Sequence, residues 1–86
     1  MIKDSAHRHL VADEDITHAR EHWLVAHTLT DVQRHPFTMY VGPDRAGNLI
    51  EVGENWEGDI IHAQPARPQY LPRTKRQQGR RQPWTR

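Results

Sequence analysis

The sequence predicts an α+β domain: two N-terminal helices packed on a three- to four-stranded antiparallel sheet, followed by a mobile, basic C-terminal tail. Three observations predict it. Near the N-terminus, apolar residues recur at helical spacing. Between Leu24 and Ala63 they alternate or fall in short runs separated by turn residues. Beyond Pro65 apolar content collapses while prolines and cations accumulate. The expected boundaries are a folded domain over residues 1–71 and a tail over 72–86.

The elements follow in order. In "KDSAHRHLVA" (3–12), Asp4 or Ser5 suits a helix N-cap, and Ala6 and Leu10 share a face four residues apart. His9 lies near that stripe and reads as a packed histidine. In "DEDITHAREHW" (13–23), Asp13, Glu14 and Asp15 sit where a helix's positive end favours carboxylates, and Ile16, Ala19 and Trp23 form the apolar stripe. "LVAHTLTDV" then has strand composition. In "HPFTMYVGP", Phe37, Met39 and Val41 occupy one face, with Thr38 and Tyr40 on the other. "GPDRAGN" and "GENWEGD" are turns around the strand "LIEV", and "IIHA" is the last strand. Successive hairpins make a meander.

The totals bound the function. Eighty-six residues with a mean hydropathy of -0.95 support one small core at most. With no cysteine, disulfides, thiolate metal sites and cysteine nucleophiles are excluded. No apolar run reaches a membrane-spanning length of about 20 residues, and "MIKDSAHRHL" lacks a signal peptide's apolar stretch. A cytoplasmic protein with no membrane partner is expected. Charge is asymmetric: residues 1–65 hold five Lys or Arg against all eleven acids, whereas residues 66–86 hold seven and no acid. A polyanion such as RNA is the natural partner of that tail, through Arg73, Lys75, Arg76, Arg80 and Arg81.

The segment "IIHAQPARPQY" (60–70) concentrates the chemistry. Cleaving RNA through its own 2′-hydroxyl needs a base for that hydroxyl, an acid for the leaving 5′-oxygen, and positive charge at the phosphate. Histidine titrates near neutrality, arginine grips phosphate oxygens in a fork, and tyrosine can bind phosphate or stack on a base. His62, Arg67 and Tyr70 supply these types on a stretch stiffened by proline. If Ile61 and Ala63 face the helices, His62 lies on the open sheet face; if Ile60 does, His62 is in the core. Elsewhere the bland readings prevail. His18 and His22 read as a solvated helix face rather than a metal pair, His7 and Arg8 as solvent-facing, and Asp44-Arg45 as turn chemistry with Arg45 in water. No metal and no cofactor are expected.

The set "DITHARE", "YVGPDRAGNLIEV" and "IIHAQPARPQY", preceded by a histidine near the start, resembles the BrnT-type and related toxins of the RelE/ParE superfamily across residues 5–71. The resemblance implies a compact α+β fold and an mRNA endoribonuclease that arrests translation and growth, acting free or on the ribosome. It also implies a cognate antitoxin as partner. Carried over by position, its active residues would be His62, Arg67 and Tyr70, with His7 as a helper from the first helix. His62→Ala or Arg67→Ala would then abolish cleavage and leave the fold intact. The competing expectation is a non-catalytic module that binds nucleic acid, or an acidic protein, through the basic tail.

Overall fold

Residues 1–72 are described by the structure, a computed structural model, and they form one helix and one four-stranded sheet. The helix α1 spans Asp13–Glu21, and its first turn carries Asp13, Glu14 and Asp15 as charge complements to the dipole. Ile16 and Ala19 are fully buried, while Trp23, past the helix end, rests beside Tyr40 and stays half exposed.

The expected first helix does not form. A 3-10 turn over Asp4–His7 stands in its place, and Leu10 follows in the left-handed region at φ 61° with its side chain in solvent. A helix this short is marginal on its own, and the sheet edge offers its backbone better partners. Ser5, expected as a cap, donates its hydroxyl to the Ile61 carbonyl (2.7 Å), Lys3 N–H donates to the Ile60 carbonyl, and Ile60 N–H donates to the Met1 carbonyl. The N-terminus thereby covers the edge of the last strand, and Ala6 is the residue of the expected stripe that is buried.

Strands β1 (Val25–Thr30), β2 (Pro36–Pro43), β3 (Leu49–Asn55) and β4 (Ile60–Pro65) pair antiparallel in that order. Three turns of one design join them. Asp31, Asp44 and Asn55 each accept, on a side-chain oxygen, the backbone N–H groups two and four residues ahead. The residue three ahead takes positive φ in each: Gly47 and Gly58, but Arg34 in the first turn. Arg45 does not lie free in water: it forms an ion pair with Asp15 (2.9 Å), tying the second turn to the start of α1 and holding that carboxyl below its ordinary pKa.

Helix α1 packs on β2 and β3, where Gly42 permits close approach: a side chain there would meet the Ala19 carbonyl and the Trp23 backbone. Ala6, Ile16, Ala19, Ile50, Val52, Ile60 and Ala63 form the core on this side. Register settles the question about His62. Gly53 pairs with His62 but Glu54 pairs with Ile60, so β4 carries a bulge and Ile61 is the extra residue. Ile60 and Ala63 therefore both reach the core, and His62 lies on the opposite face.

That opposite face is also buried. Met39 and Val41 point there, 2% and 0% exposed, away from α1. After β4 the chain turns back across it: Arg67 reaches Glu51 on β3, and the Tyr70 carbonyl accepts a hydrogen bond from His27 on β1. Residues 66–71 thus form a strap over the sheet, with a second 3-10 turn at Pro68–Tyr70. Among the described residues no helix is long and apolar enough to cross a membrane. The expected tail contacts at Arg73, Lys75, Arg76, Arg80 and Arg81 lie outside the described residues.

Candidate active site beneath the strap

The site is organised by Glu51, which the sequence reading passed over. In "LIEV" the apolar neighbours Ile50 and Val52 go to the α1 core, so strand alternation sends Glu51 to the other face. The carboxylate is nevertheless 0% exposed, because the strap closes over it. A buried carboxylate needs charged partners and hydrogen bonds, and this one has both. Oε2 lies 2.8 Å from His62 Nε2 and 2.7 Å from Arg67 Nη2. Oε1 accepts the Arg67 backbone N–H at 2.8 Å, and Arg67 Nε bridges both oxygens at 3.2 and 3.1 Å.

Electrostatics follow from this geometry. Burial pushes the Glu51 carboxyl up, but the Arg67 side chain, the Arg67 backbone N–H and His62 together outweigh it, leaving the pKa below its ordinary value. Glu51 is therefore ionised at neutral pH, and in return it raises the Arg67 pKa. An ionised carboxylate only accepts, so His62 Nε2 carries a proton and Nδ1 is the nitrogen left for a substrate. Arg67 spends Nε and Nη2 on Glu51; its side chain is 44% exposed, which leaves Nη1 for an anion.

His62, Arg67 and Tyr70 are brought together. The Tyr70 ring lies 5.1 Å from the Arg67 guanidinium and 5.4 Å from the His27 ring. Tyr70 thus anchors the strap and steadies Arg67. His7 is drawn elsewhere: its Nε2 is 2.6 Å from Asp13 at the start of α1. His9 is exposed rather than packed in the core, and its ring centroid lies 6.1 Å from that of His62. The signal for Glu51 was present in the apolar stripe Phe37, Met39 and Val41. With Tyr40 turned to α1, that stripe had to be covered on a second face, and Val41 pairs directly with Glu51.

His18 and His22 stack at 4.2 Å, with His18 Nδ1 2.8 Å from the Pro43 carbonyl oxygen and His22 Nδ1 2.8 Å from that of His18. No group of three or more potential metal ligands occurs among the described residues. A recess of about 410 Å3 beside α1 is lined by Asp13, Glu14, Thr17, His18, Glu21 and Arg45, an acidic surface that repels phosphate. Comparison with protein-family models, curated proteins and solved structures found no match for the chain.

Proposed function

We propose that this chain is an endoribonuclease of the toxin kind, cleaving mRNA in the cytoplasm, arresting translation and growth, and held in check by a cognate antitoxin. The observation that carries the reading is one arrangement: a proton-handling ring and a phosphate-binding fork are locked together by a single buried carboxylate. His62 Nδ1 takes the proton from the 2′-hydroxyl. The 2′-oxygen forms its bond to phosphorus as the bond to the 5′-oxygen breaks, giving a 2′,3′-cyclic phosphate and a 5′-hydroxyl. Arg67 Nη1 meets the phosphate oxygens as negative charge builds. Glu51 positions both residues, and Tyr70 offers a face for a base. The nucleophile belongs to the substrate, so the scheme calls on no metal.

Arg67 also holds Glu51 and the strap, so Arg67→Ala would perturb the fold as well as the chemistry. The cleaner variant is His62→Gln, which keeps a donor for Glu51 and loses the base. Induced expression of wild type beside His62→Gln, with mapping of RNA 5′ ends, tests the reading. Growth arrest with new ends in the wild type alone is expected; equal cleavage by both rejects His62 as the base.

A second reading is a non-catalytic nucleic-acid-binding module. It is favoured by the charge balance of the resting site, where Arg67 is already neutralised by Glu51. Affinity would then come from the basic tail, and a chain ending after Leu71 would lose nearly all RNA binding. An enzyme so shortened would keep measurable turnover.

A further inference from the structure

We infer that His9 is the second proton-handling group of this site, the acid that protonates the leaving 5′-oxygen; the inference rests on the ribonuclease reading above. The His9 and His62 rings lie 6.1 Å apart, edge to face at 71°. The other histidine neighbours, His18 and His22, are stacked at 4.2 Å and 22°, with no room for a ligand between them. The His9 and His62 rings are more widely spaced and splayed, so a ligand can lie across their edges rather than between stacked faces. An acid or a base must come within about 2.6–3.2 Å of the oxygen it serves. Two rings at this spacing can therefore address the two oxygens on opposite sides of one phosphorus.

The loop carrying His9 is fixed rather than free. Leu10 N–H donates to the His7 carbonyl (3.1 Å), and Leu10 takes the left-handed turn that redirects the chain. Ala6 is buried and Ser5 is bonded to β4 next to His62. His7, the nearest rival, is occupied by Asp13. The titratable group that faces His9 is His62 of β4, itself bonded to Glu51 of β3, while His7 and Arg8 precede it on its own segment.

The two histidines differ in what holds them. His62 has its Nε2 proton committed to Glu51. His9 is exposed, so its ring is open to a substrate. In the step, His62 takes the proton from the 2′-oxygen, the 2′-oxygen–phosphorus bond forms, the phosphorus–5′-oxygen bond breaks, and the His9 proton goes to the 5′-oxygen. Solvent then restores both rings.

The test uses the purified full chain and two substrates. One is an oligoribonucleotide; the other is uridine 3′-(p-nitrophenyl phosphate), whose nitrophenolate departs without a proton. His9→Ala should slow oligoribonucleotide cleavage by ~10²–10⁴-fold and remove the alkaline limb of the pH profile of kcat/KM. On the nitrophenyl ester it should stay within a few-fold of wild type, which also shows the variant to be folded. Equal oligoribonucleotide cleavage by His9→Ala and wild type overturns the assignment while the ribonuclease reading stands. Equal slowing on both substrates overturns it too, since a general acid spares the ester. A wild type inert on both substrates removes the ribonuclease reading and this inference with it.

Discussion

The two faces of the sheet are stabilised in opposite ways. Toward α1 the fully buried contacts are apolar, with Ile16 and Ala19 against Ile50, Val52 and Ala63, and the Arg20–Glu54 ion pair and the Arg20–Tyr40 stack lie at the margin. Toward the strap, Met39 and Val41 lie beside a buried, ionised carboxylate whose partners, a guanidinium and an imidazole, are partly exposed. One strand, β3, supplies both, with Ile50 and Val52 to one side and Glu51 to the other. Burying apolar area is favourable without directional partners. A desolvated ion pair roughly breaks even and is costly if either member is lost. A small chain with few large apolar residues gains little stability by placing an ionic cluster under this strap. The difference teaches that the helix face makes the domain, while the strap face holds ionisable groups in a set geometry.

The largest effect should come from breaking the helix face. Ile16→Ala should cost about 3–4 kcal/mol, read as a fall in the urea midpoint at unchanged slope. Next comes the strap face. Arg67→Ala should cost about 2–3 kcal/mol, at or below the low end for a broken buried pair, because the guanidinium is partly solvated and His62 still serves Glu51. Replacing both partners, as Glu51→Leu with Arg67→Met, should recover most of that stability, to within about 1 kcal/mol of wild type, and still eliminate cleavage. Recovery of stability together with full activity would break the comparison, because the cluster would then have neither role.

A smaller effect is expected from pH. The folded Glu51 pKa is depressed, so its contribution is fully present above the ordinary glutamate value of about 4.3 and is lost as pH falls through the lower folded value. Chemical denaturation between pH 6 and pH 3, an interval of about 3 units that brackets the ordinary glutamate value, should show wild type losing more stability than the Leu/Met double variant. The smallest effect lies in the turns, outside both faces. Arg34 occupies the left-handed position that Gly47 and Gly58 fill in the sister turns, at φ 69°. Arg34→Gly should remove about 1–2 kcal/mol of steric cost and add about 0.5–1 kcal/mol of chain entropy cost. The net gain of about 0.5 kcal/mol should appear as a slightly raised Tm with activity unchanged.

Local chemistry made much of this legible. Turn residues such as Asp44, Gly47, Asn55 and Gly58 act within five residues, so both later hairpins could be read directly. The Ile16/Ala19 stripe and the residue types of His62, Arg67 and Tyr70 were legible for the same reason. The first helix was misread because its fate depended on β4, about fifty-five residues away, whose edge took the hydrogen bonds of Ser5 and Lys3. Glu51 was missed because an acid inside an apolar strand ordinarily faces water, and only the returning strap buries it. His9 was misplaced because its stripe needed a helix that never formed.

Strand periodicity, turn chemistry and charge asymmetry are properties of neighbours along the chain, and they set the meander, the helix α1 and the basic C-terminal end before any long-range contact exists. The bulge at Ile61, the strap over Glu51 and the meeting of His9 with His62 each join residues far apart in sequence. Those arrangements exist only once packing has set which face each side chain takes and which polar groups must find one another away from water.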